Sequence, residues 1–376
     1  MTINSTAAVL LALYVALADE QGVSRDRLAG TLQNDVLKEY VARGTHIYPV
    51  EPSLRLVSDI IAFCSEELPK WNPISISGYH IREAGSTAPQ EIGFTLANGL
   101  EYVDQALAKG LDLESFAPRL SFFFAAHNDL LEEVAKFRAA RRLWASLLRE
   151  RHGASDKSCK LRFHTQSGGS TLTAQQPLNN IVRVAIQALA ATLGGTQSLH
   201  TNGYDEALTL PSEKSAKLAL RTQQILASES GVTRTADPLG GAHFVEELTD
   251  EIERQARSHV DEITRLNDPA KAIDYMRDEI GKAAYQFQME VESGERIVVG
   301  VNKYVEDAED LKLHQLDYSK LEVAQSSRLA SLRDERNTSE TRACLEAIRL
   351  AAQGSENLLP SMIDAVKSDV TLGEIS

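Results

Sequence analysis

Short β-branched or aromatic runs alternate with longer amphipathic stretches through the first 210 residues of the chain. This alternation predicts parallel strands, each followed by a helix that returns the chain to the same end of the sheet. Six strand-like segments can be counted, at residues 1–4, 28–33, 73–79, 119–124, 160–166 and 195–200. From residue 211 onward the pattern is almost wholly helical.

This spacing favours an α/β fold, a (β/α)₈ TIM-type barrel, which needs eight strands. Because the alternation ends after the sixth segment, we expect the missing strands at the front, so that the barrel is N-terminally incomplete. A doubly wound open sheet is the alternative. The predicted organisation is a partial barrel at 1–210, its helical continuation at 211–303, and a linker with C-terminal helices at 304–376. Within the last two parts we predict a short strand in 295–303 and irregular structure over 304–331.

The composition narrows the function class. The net charge is −14 and the pI is about 5.2, which argue against nucleic acid as a partner. The three cysteines have no metal-like spacing and indicate reduced thiols. The apolar run 7–18 is too short to span a bilayer and lacks a cationic start. We therefore expect no membrane association and a cytoplasmic location.

Polar side chains follow the predicted strands at the ends where a barrel carries its chemistry. The clearest example is PISISGYHIREAG at Pro73–Gly85, where a β-branched run ends in Gly-Tyr-His. We predict that Tyr79 and His80 form the centre of an active site. Gln33 is also a polar residue at a strand end, and alternation along the later strands turns Arg119, Ser121, His164 and Gln166 toward the same interior. Several strands doing so indicate a ligand-lined bore, with satisfied core polar groups as the alternative.

Several other residues are ambiguous from their local sequence. Arg43 and Lys70 read as surface cations, and Glu83 and Glu206 as carboxylates near helix N-termini. Ser167-Gly168-Gly169 lacks both the Walker lysine and the Rossmann spacing. The nine histidines include no H-E-x-x-H pair and have no Cys-rich neighbour, so we expect no protein-ligated catalytic metal. There is no nucleophile elbow either.

Together these motifs resemble one family. ISISGYHIREAGS, FAPRLSFFF, LRFHTQSGG, GGTQSLHTNGYDEAL, DPLGG and VGVNKY are similar to the large subunit of the adenosylcobalamin-dependent acyl-CoA mutases, from Met1 to the end of the chain. The resemblance implies a barrel whose bore holds the CoA chain. It also implies radical 1,2-rearrangement of an acyl-CoA, with the cofactor supplying the radical.

The resemblance also assigns roles by motif. Tyr79 corresponds to the tyrosine that meets adenosyl group and substrate, and His80 to the histidine that hydrogen-bonds the thioester carbonyl. Positions implied to bind CoA or substrate are Thr31, Gln33, Arg43, Lys70, Arg119, Ser121, His164 and Gln166. Positions implied to face the corrin or its adenosyl group are Glu83, Gly169, Glu206 and Ala207.

Arg43 bears on the substrate. Methylmalonyl-type enzymes of the family carry arginine here for the free carboxylate of the substrate, whereas isobutyryl-type enzymes carry glutamine. Arginine can hold a carboxylate through two charge-assisted hydrogen bonds, which glutamine cannot do. We therefore expect methylmalonyl-CoA/succinyl-CoA, with isobutyryl-CoA or 2-hydroxyisobutyryl-CoA as alternatives, since the HTQ and TAQQP segments also suit that type.

The sequence departs from the family pattern in two places. The front of the barrel is absent, and so is the D-x-H-x-x-G cobalamin motif. We therefore expect a separate cobalamin-binding small subunit to supply the axial histidine, a separate N-terminal barrel segment, and an oligomeric assembly. The rival hypothesis is a truncated, non-catalytic remnant that acts only as an assembly partner.

Overall fold

The computed structural model describes residues 1–306 and 317–376, and helices dominate it. The helices are α1 Ala7–Glu20, α2 Val50–Glu67, α3 Tyr79–Glu83, α4 Ala88–Ala108, α5 Leu113–Phe116, α6 Leu130–His152, α7 Asn179–Leu193, α8 Glu213–Ser228, α9 His243–Leu266, α10 Pro269–Ser293, α11 Ser319–Glu335, α12 Thr338–Gln353, α13 Leu358–Lys367 and α14 Leu372–Ile375. A π-helical turn spans Glu39–Arg43.

The strands are parallel and follow one another in chain order. They are β1 Ala29–Thr31, β2 Lys70–Asn72, β3 Ser75–Ser77, β4 Ser121–Ala126, β5 Phe163–Ser167 and β6 Ser198–His200. One sheet pairs β1 with β2, and a second has the order β3-β4-β5-β6. This is the sequential parallel arrangement of a (β/α)₈ barrel. Within the described residues the strands do not close into a ring, as predicted for an incomplete barrel.

Backbone hydrogen bonds carry the strand order across the break between the two sheets. The amide of Ser75 donates to the carbonyl of Gln33 over 2.8 Å, and Gln33 in turn donates to Met1 over 3.2 Å. The predicted first strand, Met1–Asn4, is wrong as a strand, although its backbone lies alongside the end of β1. The segment 70–72, not predicted as part of a strand, is β2.

The outer helices bury the main core against the second sheet. α4 begins with a capping box in which Thr87 and Gln90 satisfy each other's backbone amides. α9 packs against both α4 and α6, so the helices after residue 211 cover the outside of the barrel layer. The aromatic centre of this core is formed by Phe122, Phe124 and Trp144.

A second core joins the two ends of the chain. α13 packs against α1, and buried side chains such as Leu11, Leu359 and Ile363 share one cluster. The Asn357 side chain caps α13 and also donates to the carbonyl of Asp59 in α2 over 2.8 Å. The C-terminal helices therefore support the front of the partial barrel. The three-part domain division remains a prediction.

Two element predictions in the C-terminal part are wrong. Residues 295–303 contain only an isolated bridge between Val299 and Lys303, because Gly300 turns the chain back on itself. The irregular structure predicted for 304–331 gives way to α11 from Ser319, while 307–316 lie outside the described residues. α11 has no buried residue, so it offers no amphipathic pattern to read. Among the helices of the described chain, none is long and apolar enough to cross a membrane.

Candidate functional site

The chain turns sharply where β3 ends, and this turn places the two central residues. The predicted strand stops at Ser77, not at residue 79, and Tyr79 opens helix α3. A Cβ on Gly78 would lie 2.5 Å from Thr95 Oγ1, so only glycine fits against α4 here. Since neighbours on a strand face opposite ways, this break lets Tyr79 and His80 point into one space. Their ring centroids are 5.3 Å apart.

Tyr79 is buried and held on two sides. Its ring stacks on Phe123 with centroids 4.7 Å apart and an interplanar angle of 3°. Its hydroxyl accepts a 3.0 Å hydrogen bond from Gln166 Nε2, which also donates to Asn202 Oδ1 over 2.8 Å. Burial and the nearby Glu83 carboxylate raise the pKa of Tyr79, so the phenol stays protonated.

His80 is held through one ring nitrogen. Its Nδ1 lies 2.9 Å from Ser77 Oγ and 3.3 Å from Lys38 Nζ. Burial, together with the positive charges of Lys38 and Arg43, lowers the pKa of His80 to about 3. The imidazole is therefore neutral at physiological pH, and it can offer a hydrogen bond without carrying a charge.

A buried carboxylate fixes the backbone beneath His80. Asp35 Oδ2 accepts from the Ser77 amide over 2.7 Å, and Oδ1 accepts from the Tyr102 hydroxyl over 2.6 Å. Burial raises the pKa of Asp35, and the Lys38 charge opposes that shift. This ties the loop after β1 to the end of β3.

Glu83 closes the rim of the site on the other side of Tyr79. Its carboxylate accepts hydrogen bonds from the Ser170 amide over 2.9 Å and the Ser170 hydroxyl over 3.2 Å. Burial raises the pKa of Glu83 to about 7. A Cβ on Gly169 would lie 2.9 Å from Glu83 Oε2 and 3.4 Å from Tyr79 Oη. The backbone at Gly169 therefore packs directly against both side chains.

The strand ends next to Tyr79 carry the remaining predicted residues of this rim. His164 Nδ1 lies 2.7 Å from Ser198 Oγ, and its ring contacts Phe123 with centroids 5.1 Å apart. Burial and the neighbouring His200 lower the pKa of His164 to about 4. Glu206 and Ala207 are exposed in the turn after β6.

A second group of predicted residues lies at the amino-terminal ends of β2 and β4. Lys70 is exposed at the first position of β2, and Arg119 ends a 3₁₀ turn two residues before β4. Arg119 and Arg162 are close enough for Arg119 to lower the pKa of Arg162, although burial contributes more. Within the described residues, the side chains of Lys70 and Arg119 make no hydrogen bond or ion pair. This end of the bore is thus cationic and available to an anion.

The two predicted hydroxyl residues lie at the carboxyl end of β1 and at the amino end of β4. Thr31 Oγ1 accepts from Asn72 Nδ2 over 2.9 Å, and Asn72 Oδ1 accepts from Arg162 over 3.3 Å. The Ser121 hydroxyl donates to the carbonyl of Ile74 over 2.7 Å. These contacts link the carboxyl ends of β1 and β2 to the residue before β5, and the amino end of β4 to the residue before β3.

Gln33 and Arg43 lie toward the front edge of the partial barrel. Gln33 Oε1 accepts from Asn4 Nδ2 over 3.1 Å. The Arg43 side chain is 47% exposed, and its Nη1 lies 3.8 Å from Glu39 Oε1. It lines an open pocket of about 280 Å³ together with residues 2–6. Its positive charge nevertheless contributes, after burial and Lys38, to the lowered pKa of His80.

A buried charge cluster supports α3 from behind. Lys136 Nζ donates to Glu91 Oε2 over 2.6 Å, to the Ala125 carbonyl over 2.8 Å, and to Glu133. Arg82, on α3 itself, lies 3.9 Å from Glu91 and 3.5 Å from Glu133. The cluster ties α3 to α4, α6 and the end of β4.

Four contributors to the site were not among the predicted site residues. Phe123 is the surface on which Tyr79 stacks; period-2 alternation from Ser121 would have placed it on the inner face. Lys38 and Ser77 contact His80, and Asn202 contacts Gln166. Nothing in local sequence distinguishes Lys38 from a surface lysine, because its burial arises from the tertiary fold.

Two further features of the described residues concern metal binding and the small residues of the site. They contain no group of three or more His, Cys, Asp or Glu side chains that could hold a metal ion. Beside Tyr79 and the Glu83 carboxylate, Gly169 presents backbone alone, and Ala207 is exposed in the turn after β6.

Comparisons with known proteins cover the whole chain. A family model described as methylmalonyl-CoA mutase matches residues 1–376. The chain is 47% identical over 380 residues to a protein of Caenorhabditis elegans named probable methylmalonyl-CoA mutase, mitochondrial, and spans 51% of it. It is 46% identical to the 2-hydroxyisobutanoyl-CoA mutase large subunit of Aquincola tertiaricarbonis, of which it spans 67%. It is 47% identical to the methylmalonyl-CoA mutase of Escherichia coli and spans 53% of that protein.

Proposed function

The chain belongs to the methylmalonyl-CoA mutase family, and on that premise we propose that it is the substrate-binding part of an adenosylcobalamin-dependent acyl-CoA mutase. The reaction would be a radical 1,2-shift of the thioester group, and the preferred pair would be methylmalonyl-CoA and succinyl-CoA. The chain spans about half the length of two of these relatives.

One observation carries the proposal: the parallel strands place unpaired cations at one end and a neutral histidine beside a buried tyrosine further along. From Ser121, at the start of β4, to Phe123, on which Tyr79 stacks, the strand rises about 7 Å at about 3.3 Å per residue, and Arg119 lies two residues before Ser121. A long ligand with phosphates at one end and a carbonyl at the other suits this bore. Acyl-CoA has that chemistry.

The proposed roles follow from this direction of binding. Lys70 and Arg119 would neutralise phosphate, and Thr31 and Ser121 would line the channel beside them. Neutral His80 would donate a hydrogen bond to the thioester carbonyl, where negative charge grows during the rearrangement. Gln33, His164 and Gln166 would complete the polar wall around the acyl group. Tyr79, wedged between Phe123 and Gln166, would exclude water and orient the reacting carbon.

The rim residues fit adenosylcobalamin. Gly169 leaves no room for a side chain beside Glu83 and Tyr79, and Ala207 is small and exposed, so a flat corrin could approach closely. Glu83, Gly169, Glu206 and Ala207 would face it. The cofactor supplies the radical chemistry when bound. Its axial histidine would come from a cobalamin-binding small subunit, and a separate N-terminal segment would complete the barrel of the assembled oligomer.

Arg43 supports the dicarboxylic substrate. Its guanidinium is half exposed and only loosely paired with Glu39, so it remains free to bind a carboxylate. Isobutyryl-CoA or 2-hydroxyisobutyryl-CoA is the second candidate, since one relative is named for the latter.

The test is co-expression with a cobalamin-binding subunit and the N-terminal barrel segment, followed by an assay of methylmalonyl-CoA and succinyl-CoA interconversion. We expect product only in the assembly that contains this chain, the partner subunit and added adenosylcobalamin. An absence of turnover in every combination would favour the rival hypothesis, a non-catalytic remnant that serves assembly alone.

A further inference from the structure

Lys38 is a buried cation in direct contact with the proposed catalytic histidine. Its side chain is 0% exposed, and Nζ lies 3.3 Å from His80 Nδ1 and 3.6 Å from Glu39 Oε1. Burying an ammonium group is costly unless it is paired and hydrogen-bonded. A Lys38 side chain directed toward solvent would have avoided that cost. The buried contact with His80 therefore needs a functional explanation.

The chemistry of the two groups determines which atom donates the hydrogen bond between Lys38 and His80. An ammonium group has three donors and no acceptor, so the nitrogen facing it must accept. In a neutral imidazole one ring nitrogen accepts and the other carries the proton. The second neighbour of His80 Nδ1, the Ser77 hydroxyl at 2.9 Å, can donate or accept and therefore imposes neither tautomer.

We propose that Lys38 is a positioning residue that holds His80 in the tautomer with its proton on Nε2, so that Nε2–H is the donor presented to the thioester carbonyl. The identity of the acceptor rests on the proposed function, whereas the tautomer does not. Without Lys38, the histidine could instead donate from Nδ1 to Ser77 and present a bare Nε2. That nitrogen would repel the carbonyl oxygen.

The surrounding carboxylates keep this arrangement rigid. Asp35 accepts from the backbone amides of both Ser77, over 2.7 Å, and Lys38, over 3.4 Å, so one side chain positions both neighbours of His80 Nδ1. The charges of Asp35 and Glu39 oppose the lowering of the Lys38 pKa by burial. The ammonium is thereby balanced by two anions while one of its donors is directed at the imidazole.

Nitrogen-15 NMR of the histidine-labelled chain tests the tautomer directly. The chain has nine histidines, so the His80 signals are assigned by their loss in His80→Gln. At pH 7 we expect an unprotonated Nδ1 and a protonated Nε2. Lys38→Met should move the population toward protonated Nδ1, and Lys38→Arg, which keeps a donor, should restore the wild-type spectrum. Lys282→Met, on the surface of α10, is the matched control and should change nothing at His80.

Two results would overturn the proposal: protonated Nδ1 in the wild-type chain, or a wild-type His80 spectrum in Lys38→Met. Because no substrate or cofactor enters this measurement, it remains decisive even if the proposed function is wrong. In an active assembly, Lys38→Met should lower kcat by about 10²-fold with little change in KM, as expected for loss of a preorganised donor. A raised KM with unchanged kcat would contradict the positioning role.

Discussion

Gly169 faces the Glu83 carboxylate so closely that a Cβ in its place would lie 2.9 Å from Oε2. The carboxylate has little freedom to withdraw, because Ser170 holds both of its oxygens. Packing against Glu83 therefore requires glycine at position 169, whether or not a ligand is bound there.

We expect Gly169→Ala to lower the free energy of unfolding by about 1–2 kcal/mol through overpacking. The matched control is Gly281→Ala within α10, where a Cβ would meet no atom within 4 Å. There the gain in helix propensity should stabilise the chain by about 0.5–1 kcal/mol. Denaturant titration measures both changes. If Gly169→Ala proves as stable as the control, the close packing against Glu83 is wrong.

Glu83 should make stability fall as pH rises from about 4.5 to 7. Its pKa is raised to about 7 in the folded state from 4.5, so the folded chain keeps a proton that the unfolded chain releases. The unfolded state therefore gains relative stability between about pH 4.5 and 7, and the contribution is fully present only below pH 4.5.

Glu83→Gln removes this titration while keeping an acceptor for Ser170. We expect the variant to gain stability relative to wild type as pH is raised from 5 to 8, by about 1–3 kcal/mol in all. The comparison is made by denaturant titration at each pH, with Glu213→Gln, at an exposed position of α8, as the control. A difference between wild type and Glu83→Gln that stays constant with pH would rule out the raised pKa.

Lys136 should be essential to the stability of the layer behind α3. It is fully buried and bonded to Glu91, Glu133 and a carbonyl, so Lys136→Met would leave two buried carboxylates with only the more distant Arg82 guanidinium. We expect a loss of about 3–5 kcal/mol. Lys282→Met, which breaks only an exposed pair with Glu279, should cost less than about 0.5 kcal/mol. Equal effects of the two substitutions in thermal or denaturant unfolding would refute the cluster's structural role.

Arg43 should set the choice of acyl group in the active assembly. Arg43→Gln removes the charge that would pair with the substrate's free carboxylate, so kcat/KM for methylmalonyl-CoA should fall by about 10²-fold relative to isobutyryl-CoA. Arg277→Gln, at an exposed position of α10, is the control. An unchanged preference in Arg43→Gln would exclude the dicarboxylic assignment and leave the mutase proposal intact.

The strand–helix alternation was readable because each strand of the second sheet is a short β-branched or aromatic run followed by an amphipathic helix. The break at Gly78 was also predictable, since only a turn lets Tyr79 and His80 reach one space. The strand boundaries were less predictable. β4 begins at Ser121 and β5 at Phe163, which is two and three residues later than predicted, because strand pairing sets the boundaries and local propensity does not.

The parts that escaped prediction depend on tertiary contacts. The polar environment of Lys38 forms only when the loop after β1 packs against the end of β3. Helix α11 has no apolar stripe from which a helix could be predicted. Segment 70–72 was missed because three residues next to Pro73 give too short a pattern, yet they pair with β1.

His80 is the most direct test of the mutase account. In the assembly with the cobalamin-binding subunit, the N-terminal segment and adenosylcobalamin, His80→Ala should lower kcat for methylmalonyl-CoA by about 10²–10³-fold, because the donor to the developing charge is lost. Affinity for the substrate, measured by calorimetry, should change far less. A His80→Ala enzyme that turns over at the wild-type rate would contradict the account.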